Sequence, residues 1–496
     1  MDGSPVNNNE NKHTMSKKII AIATVLMYLT VMAQPQSNWT TFDIKNSDIT
    51  GNTILALATD SKNNKWVGTS EGLCRLSGKT WTDYAMFNDK LKGQFVNCLS
   101  VDKQGTLWIG TDDYGVIEFD GRNFSEHSAE TRRLNMKFIR CITIDKQDVK
   151  WFGVTLGGVV RYDGREWTKY TAAESGLLSD FVLCITIDRR GRKWIGTNDG
   201  LCLFDDNRWI GYTTKNSDLP DNIVPAIAID KDDVKWLGTL AGLCRYDGNT
   251  WTTYNTSNSP MPGNQVNALS FDQSGALWIA TDNGVAVFDG NDHWVTYTTA
   301  NSRFPAKNVQ SLVIDNQGNK WFGTDFQGLV RFSACGISGT VTDESGNPMA
   351  DVKLTCGNYS ATTDKDGAYI LEIPAGTATV LRIDDASANA TPASRDMTQL
   401  RGFAFGQDFT VSLAAAEGTG TERVVVNPYL DTGYITITLE SPKAEIEFID
   451  ASGTSIRKIP EYLNGNRITI SRMPKGMYTV KIKTVKGEKS LKFNLR

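Results

Sequence analysis

The stretch VPAIAIDKDDVKWLGTLAGLCRYDGNTWTTY, residues 224–254, contains four strand-sized runs separated by turn chemistry. Val224 to Asp230 reads as an inner strand, and Lys231-Asp232-Asp233 turns the chain. Val234 to Thr239 is a second strand and Gly242 to Asp247 a third. A turn through Gly248 then leads to an outer strand, Trp251 to Tyr254. Short β-branched and aromatic runs bounded by Gly, Asp and Asn are the pattern of antiparallel strands joined by tight turns.

The unit recurs. Trp66, Trp108, Trp151, Trp194, Trp236, Trp278 and Trp321 each head a short strand, at intervals of 42 or 43 residues. Each is followed by an apolar residue and then Gly or Ala. A second aromatic series (Trp81, Phe124, Trp167, Trp209, Trp251, Trp294) lies 15 or 16 residues further on. All 13 tryptophans fall between residues 39 and 321. A period of this length with four strands per unit marks a β-propeller. The expected fold class is therefore all-β, a seven-bladed β-propeller at 39–332 followed by two small β-sandwich domains.

Ten residues before each heading Trp stands a small residue (Ala56, Cys98, Cys141, Cys184, Ala226, Ala268, Ser311), and the next residue is always Leu or Ile. Strand alternation sends these to opposite sheet faces, so a large side chain of one blade can fill space beside the small one of the next. The seventh unit stops at Leu329-Val330-Arg331-Phe332 without an outer strand, whereas Trp39-Thr40-Thr41-Phe42 stands alone before the first. Trp39 precedes Trp66 by 27 residues, as Trp81 precedes Trp108, so the N-terminal strand is expected to complete the last blade. Turns such as Asp102-Lys103-Gln104-Gly105 and Asp188-Arg189-Arg190-Gly191 use Asp as a local acceptor and Gly for a positive φ. They lack the alternating oxygens and distal Glu of a calcium loop.

With Gly105 to Thr111, Lys193 to Gly200 and Lys235 to Tyr246 on view, the repeat resembles the two-component regulator propeller repeat of Bacteroidetes. That family often forms the periplasmic sensor part of hybrid histidine kinases, some of which recognise carbohydrate fragments. The resemblance implies a binding role. It does not imply direct signalling here, since the sequence shows no later transmembrane helix and no kinase or DNA-binding segment.

Gly339-Thr340-Val341-Thr342-Asp343, the turn before Asp351-Val352-Lys353-Leu354, and Asp364-Lys365-Asp366-Gly367-Ala368-Tyr369 resemble the carboxypeptidase-regulatory-like β-sandwich, placed at 335–413. Cys335 and Cys356 flank its first hairpin, and two readings stand: a disulfide in an oxidising compartment, or two separate thiols. Ala414 to Gly420 reads as a linker. The Asn427-Pro428, Asp450-Ala451-Ser452-Gly453 and Lys475-Gly476-Met477-Tyr478 landmarks at 424–496 resemble the C-terminal sorting domain of the type IX secretion system, which implies that machinery as a partner.

At the other end Lys17 and Lys18 precede an apolar run from Ile19 to Met32 that closes on Ala33, so residues 1–33 read as a signal peptide region. The protein is then expected to be exported to the periplasm, the cell surface or the medium, with no transmembrane anchor left after cleavage. A net charge of −4 over 496 residues offers no basic excess for a nucleic acid.

Three histidines and no metal-ligand spacing leave no catalytic residue, metal or cofactor to assign. Cys74, Cys202 and Cys244 repeat one blade position and read as packing. A binding site is expected on the face formed by the loops between strands two and three and by the segments entering the inner strands. Its candidates are Tyr114, Arg140, Asn198, Asp199, Asp282, Asn283, Asp325, Phe326 and Gln327, together with Asn97, Asn267 and Gln310 near inner-strand starts. Tyr114 and Phe326 offer rings on which a sugar could stack. The favoured reading is a non-enzymatic binding or scaffold protein for a glycan or an exported protein. The alternative is a polysaccharide lyase or hydrolase using carboxylates at the channel mouth.

Overall fold

The computed structural model describes residues 38–412 apart from 128–132, 135, 206–207, 375–378, 385–388 and 399. Beyond these it describes 423–426, 434–439, 443–463, 467–469, 476–484 and 487–495. The signal region 1–33, the linker 414–420 and Asn427-Pro428 lie outside the described residues.

Between Trp39 and Phe332 the chain forms seven four-stranded antiparallel sheets. The first comprises Ile54–Thr59, Lys65–Thr69, Gly72–Ser77 and Thr80–Asp83. Innermost strands touch in chain order, and the last, Val309–Ile314, returns to Ile54–Thr59, so the ring closes. Trp39–Phe42 pairs with Leu329–Phe332, Trp39 opposite Phe332, and supplies the outer strand of the seventh sheet as expected.

Packing between sheets explains the Trp-x-Gly pattern. Twelve residues before each heading Trp stands Val or Ile (Ile54, Val96, Ile139, Val182, Val224, Val266, Val309), and every one is fully buried. These side chains press on the glycine of the preceding sheet. A Cβ added to Gly68 would lie 2.7 Å from Val96 Cγ1, and one on Gly153 would lie 2.6 Å from Val182 Cγ1. The small residue ten before the Trp closes the same space from within its own sheet, Cys98 Sγ standing 2.3 Å from a Cβ on Gly110.

On the face where the first strand turns into the second, a clamp repeats seven times. Each heading Trp donates Nε1–H to the Asp six residues earlier, from Trp66 to Asp60 at 3.2 Å through to Trp321 and Asp315 at 2.9 Å. The other carboxylate oxygen accepts backbone N–H groups of the turn, as Asp188 Oδ1 does from Arg190 and Arg192. Where a Lys precedes the Trp, its ammonium lies over the Trp of the previous sheet: Lys65 over Trp321, Lys150 over Trp108, Lys193 over Trp151, Lys235 over Trp194 and Lys320 over Trp278, at 4.7–5.1 Å. Lys65 also pairs with Asp315 at 2.9 Å.

The chain then forms two further sheets that share one core. In one, Ala334–Asp343 lies between Ala368–Pro374 and, in parallel, Phe409–Ser412, with Asn389–Thr391 at the edge. In the other, Lys353–Cys356 lies between Tyr359–Thr362 and Val380–Ile383. The core holds Ile337, Val341, Leu354, Tyr369, Leu371 and Phe409. The disulfide reading for Cys335 and Cys356 is corrected: both are free thiols on strands of different sheets. Cys335 Sγ donates to Leu400 O at 3.9 Å, and Cys356 Sγ meets Thr379 Oγ1 at 3.5 Å.

This sandwich docks on the clamp face. Phe403 N donates to Asp272 Oδ2 at 3.1 Å, Ser274 Oγ donates to Phe403 O at 3.0 Å, and the Phe403 ring packs with Trp278 and Phe332 in one cluster. Burial lowers the pKa of Lys320, whose Nζ donates to Ala334 O at 3.2 Å. The last strands form a three-stranded and a four-stranded sheet around Ile435, Ile437, Ile446, Phe448, Val480 and Ile482. No helix among the described residues is long and apolar enough to cross a membrane.

Candidate binding face

The opposite face of the ring is built by the segments entering each inner strand and by the loops after each second strand. The two sets are tied by backbone hydrogen bonds: Thr155 N to Phe138 O at 3.0 Å, Asn198 N to Phe181 O at 3.2 Å, Asp282 N to Gln265 O at 3.1 Å and Asp325 N to Asn308 O at 3.2 Å. The strands thus hold the loops in a fixed array.

At the centre lies a cavity of about 300 Å³ lined by Leu55, Asn97, Arg140, Leu183, Ile223, Pro225, Leu240, Gln265, Asn267 and Gln310. Seven of these (Leu55, Asn97, Arg140, Leu183, Pro225, Asn267 and Gln310) occupy one repeat position, eleven residues before the heading Trp. A register shift falls at that position in six of the seven sheets, for example between Ile54 and Ala56 or Ile139 and Cys141. A bulge leaves its residue outside the paired ladder and free to re-aim its side chain.

The structure therefore brings together Asn97, Arg140, Asn267 and Gln310 from four sheets. Asn97 Nδ2 donates to Asp112 Oδ1 at 2.5 Å, and Asn267 Nδ2 to Val309 O at 2.9 Å. Arg140 is the only charged group in the lining, and no carboxylate is among the ten residues. The other expected residues stand in the surrounding loops, outside the cavity. Asp199 accepts from Asn222 Nδ2 at 3.2 Å, and Asn283 Nδ2 donates to Pro262 O at 2.8 Å. Lys90 lies 5.8 Å from the Tyr114 ring. Asn198, Asp282, Asp325 and Gln327 contribute loop surface on the same side.

Apolar side chains also gather here, and the sequence reading missed most of them. Among the described residues at 39–332, the exposed large hydrophobics are Ile44, Met86, Phe87, Phe95, Tyr114, Phe138, Leu156, Leu240 and Phe326. All nine lie in loops of this face. Three of them share a second property. Seven non-glycine residues among those described have φ between 56° and 72°. Four are Asn63, Asp148, Asp233 and Asp351, types that tolerate the left-handed region, but the others are Phe138, Leu156 and Phe326.

Elsewhere the chemistry is structural. Burial pushes the Cys74, Cys141, Cys202 and Cys244 thiols up to about 12, far from a nucleophile's range. No group of three or more His, Cys, Asp or Glu able to hold a metal occurs among the described residues. A hollow of about 380 Å³ on the clamp face is lined by Asp230 and Asp272, whose carboxylates already serve Trp236 and Trp278.

Comparison with known proteins adds two families. Residues 90–113 and 260–283 match the two component regulator propeller, and residues 427–495 match the secretion system C-terminal sorting domain. The fold is similar to the extracellular domain of BT3049 from B. thetaiotaomicron, assigned to a hybrid two component system, at 18 % identity and a TM-score of 0.53. It is also similar to PorZ, an essential bacterial surface component of the type-IX secretion system of Porphyromonas gingivalis, at 14 % identity and a TM-score of 0.50. These alignments cover 93 % of this chain but 58 % of the BT3049 domain and 61 % of PorZ, and at such identities the likeness is one of fold. No curated protein matches the chain. The sorting domain marks the protein as exported, either secreted or held at the cell surface.

Proposed function

We propose that the protein is an exported, non-enzymatic binding or scaffold protein that holds its partner on the loop face of the propeller, over the central cavity. One observation carries this reading. Within each inner strand, the residue twelve before the Trp is always Val or Ile, and the residue nine before is always Leu or Ile. The residue between them that lines the cavity runs Leu, Asn, Arg, Leu, Pro, Asn, Gln around the ring. Packing demands repetition, and this position escapes it where a ligand would lie. The hydrolase alternative would call on a pair of carboxylates, and none lines the cavity itself, while Asp112 beside it is engaged by Asn97.

In this reading Arg140 fixes an acceptor group of the partner, with Asn97, Asn267 and Gln310 as amide partners beside it. Tyr114, Asn198, Asp199, Asp282, Asn283, Asp325, Phe326 and Gln327 form the rim. Residues 1–33 are the export signal, 39–332 the binding propeller, and 335–413 a carboxypeptidase-regulatory-like spacer. Residues 424–496 are the address read by the type IX secretion machinery, and the working place is the cell surface or the periplasmic side.

The test is to present the protein to a panel of glycans and exported proteins and to follow bound and cleaved material together. Saturable binding without cleavage, weakened about tenfold by Arg140→Ala, is the expected result. Cleavage of any panel member would overturn it.

A further inference from the structure

The loop face is divided. From the end of the third sheet at Tyr170 to the third strand of the sixth at Gly284, the loops at 171–181, 198–199, 213–223, 240–241, 255–265 and 282–283 carry Glu174, Asp180, Asp199, Asp218, Asp221 and Asp282 against one cation, Lys215. The acidic stretch ends before the loop at 298–308, which carries Arg303 and Lys307. Exposed apolar side chains are almost absent from this half, Leu240 at the cavity rim being the exception. The other half holds Met86, Phe87, Phe95, Tyr114, Phe138 and Leu156. Their loops join directly: Phe138 N donates to Asp112 O at 2.8 Å, and Thr155 N donates to Phe138 O at 3.0 Å.

We infer that the partner held on this face is a polypeptide that presents apolar side chains beside lysines or arginines. The inference rests on the binding role proposed above and names the class of partner. Two observations carry it independently of the charge. The crescent is aliphatic as well as aromatic. A sugar ring stacks on a flat aromatic face, whereas Met86 and Leu156 offer flexible knobs suited to apolar side chains.

The backbone gives the second. Phe138, Leu156 and Phe326 occupy left-handed conformations in which every other non-glycine residue among those described is Asn or Asp. Local folding gives no reason for a bulky apolar residue there, and the core gains nothing, since Leu156 is 71 % and Phe326 70 % exposed. The side chains therefore serve an external contact. The acidic half beside them selects the charge of what docks, because opposite potentials guide and hold a partner while like charges reject it.

The experiment uses the full exported chain and three synthetic peptide sets of equal length and apolar content, one basic, one neutral and one acidic. Binding is read by fluorescence anisotropy beside a glycan panel. The basic set should bind about tenfold more tightly than the acidic set at low ionic strength, and the preference should collapse in about 0.5 M salt. Leu156→Asn with Phe326→Asn keeps residues that accept the same φ and should weaken all apolar peptides. Asp199→Asn with Asp218→Asn should erase only the charge preference. Equal binding of the three sets, or peptide binding that ignores both double variants, overturns the inference. A glycan that binds at the face while no peptide does also overturns it, yet leaves the broader binding role intact. If neither glycans nor peptides bind, both readings fail.

Discussion

The two faces of the propeller are made by the same seven units and obey different rules. On the clamp face every unit places an Asp six residues before a Trp and closes the same hydrogen bond, within 2.9–3.2 Å seven times over. On the loop face a Thr Oγ1 to Gly carbonyl bond repeats in six sheets and holds the loops. The position eleven before the Trp nevertheless changes from sheet to sheet, and exposed Met, Leu, Ile and Phe appear. Repetition is what packing requires of a ring of like blades. Departure from it on one face only is evidence of a task done there. Where the clamp face acquires a partner among the described residues, at Asp272, Ser274 and His293, it does so within the chain, by receiving Phe403 and Phe405 of the sandwich.

The sharpest way to break this comparison is to truncate one large residue on each face. Trp278 is fully buried and packs with Phe322, Phe332 and Phe403. Trp278→Ala should cost about 3–5 kcal/mol and loosen both the propeller and the docked sandwich. Phe87→Ala, at an exposed loop position, should fall within about 0.5 kcal/mol of the parent. Equilibrium denaturation of the two variants decides it, and equal losses would remove the distinction between a structural and a functional face.

A smaller effect sharpens the electrostatic part. Asp315 accepts from Trp321, Asn319 and Lys65 while almost wholly buried. Asp315→Asn leaves the Lys65 ammonium buried without its counter-charge and turns an amide donor toward other donors, a loss of about 3 kcal/mol.

The same carboxylates set a pH dependence. Burial opposes ionisation of Asp188 and Asp315. Hydrogen bonds from Trp194 and Arg192 at the first, and from Asn319, Lys65 and Trp321 at the second, outweigh it and hold both below the usual Asp value. A folded pKa below the unfolded one means stability that is fully present above about pH 4 and is lost as pH falls through the folded values. Denaturant midpoints measured from about pH 5 down to about pH 2 should drop in the parent and drop less in Asp315→Asn.

The division between faces also explains what was legible beforehand. The heading tryptophans, the small residue ten before them and the lone Trp39–Phe42 strand announced the ring and its closure, because packing repeats and repetition can be read in one sequence. The Asp–Trp spacing was equally visible, yet the Asp was understood only as a turn former, since its second oxygen acts across the sheet. On the loop face the polar residues near inner-strand starts could be picked out, and the structure gathers Asn97, Arg140, Asn267 and Gln310 on one cavity while leaving Tyr114 and Phe326 exposed in the loops around it. Leu55, Leu183 and Pro225 stand at the same repeat position, eleven before the Trp, but as apolar residues beside an inner strand they read as packing until the bulge shows that position turned to the cavity. Leu156 and Phe138 left a fainter trace, apolar residues at turn positions, which becomes meaningful only with the backbone angle. Cys335 and Cys356 left two readings open in the sequence, a bridge or two thiols, and in the structure each is a free thiol turned to a different partner, Leu400 O and Thr379 Oγ1.

The smallest expected effect has the opposite sign. Leu156 at φ 58° and Phe326 at φ 72° stand in a region that costs an ordinary L-residue about 1–2 kcal/mol, and Asn recovers part of that. Leu156→Asn and Phe326→Asn should therefore each stabilise the fold by roughly 0.5 kcal/mol, against the usual direction of a point substitution. Slower hydrogen exchange at the Gly157, Gly158 and Gly328 amides, each bonded to a backbone carbonyl, would register it locally even where the global midpoint barely moves. A residue that weakens the fold and strengthens binding is held for binding, and substitutions that improve stability at the expense of function mark such sites. If both variants instead destabilise the protein, the two side chains are packing the loops after all, and the contrast between the faces narrows to charge alone.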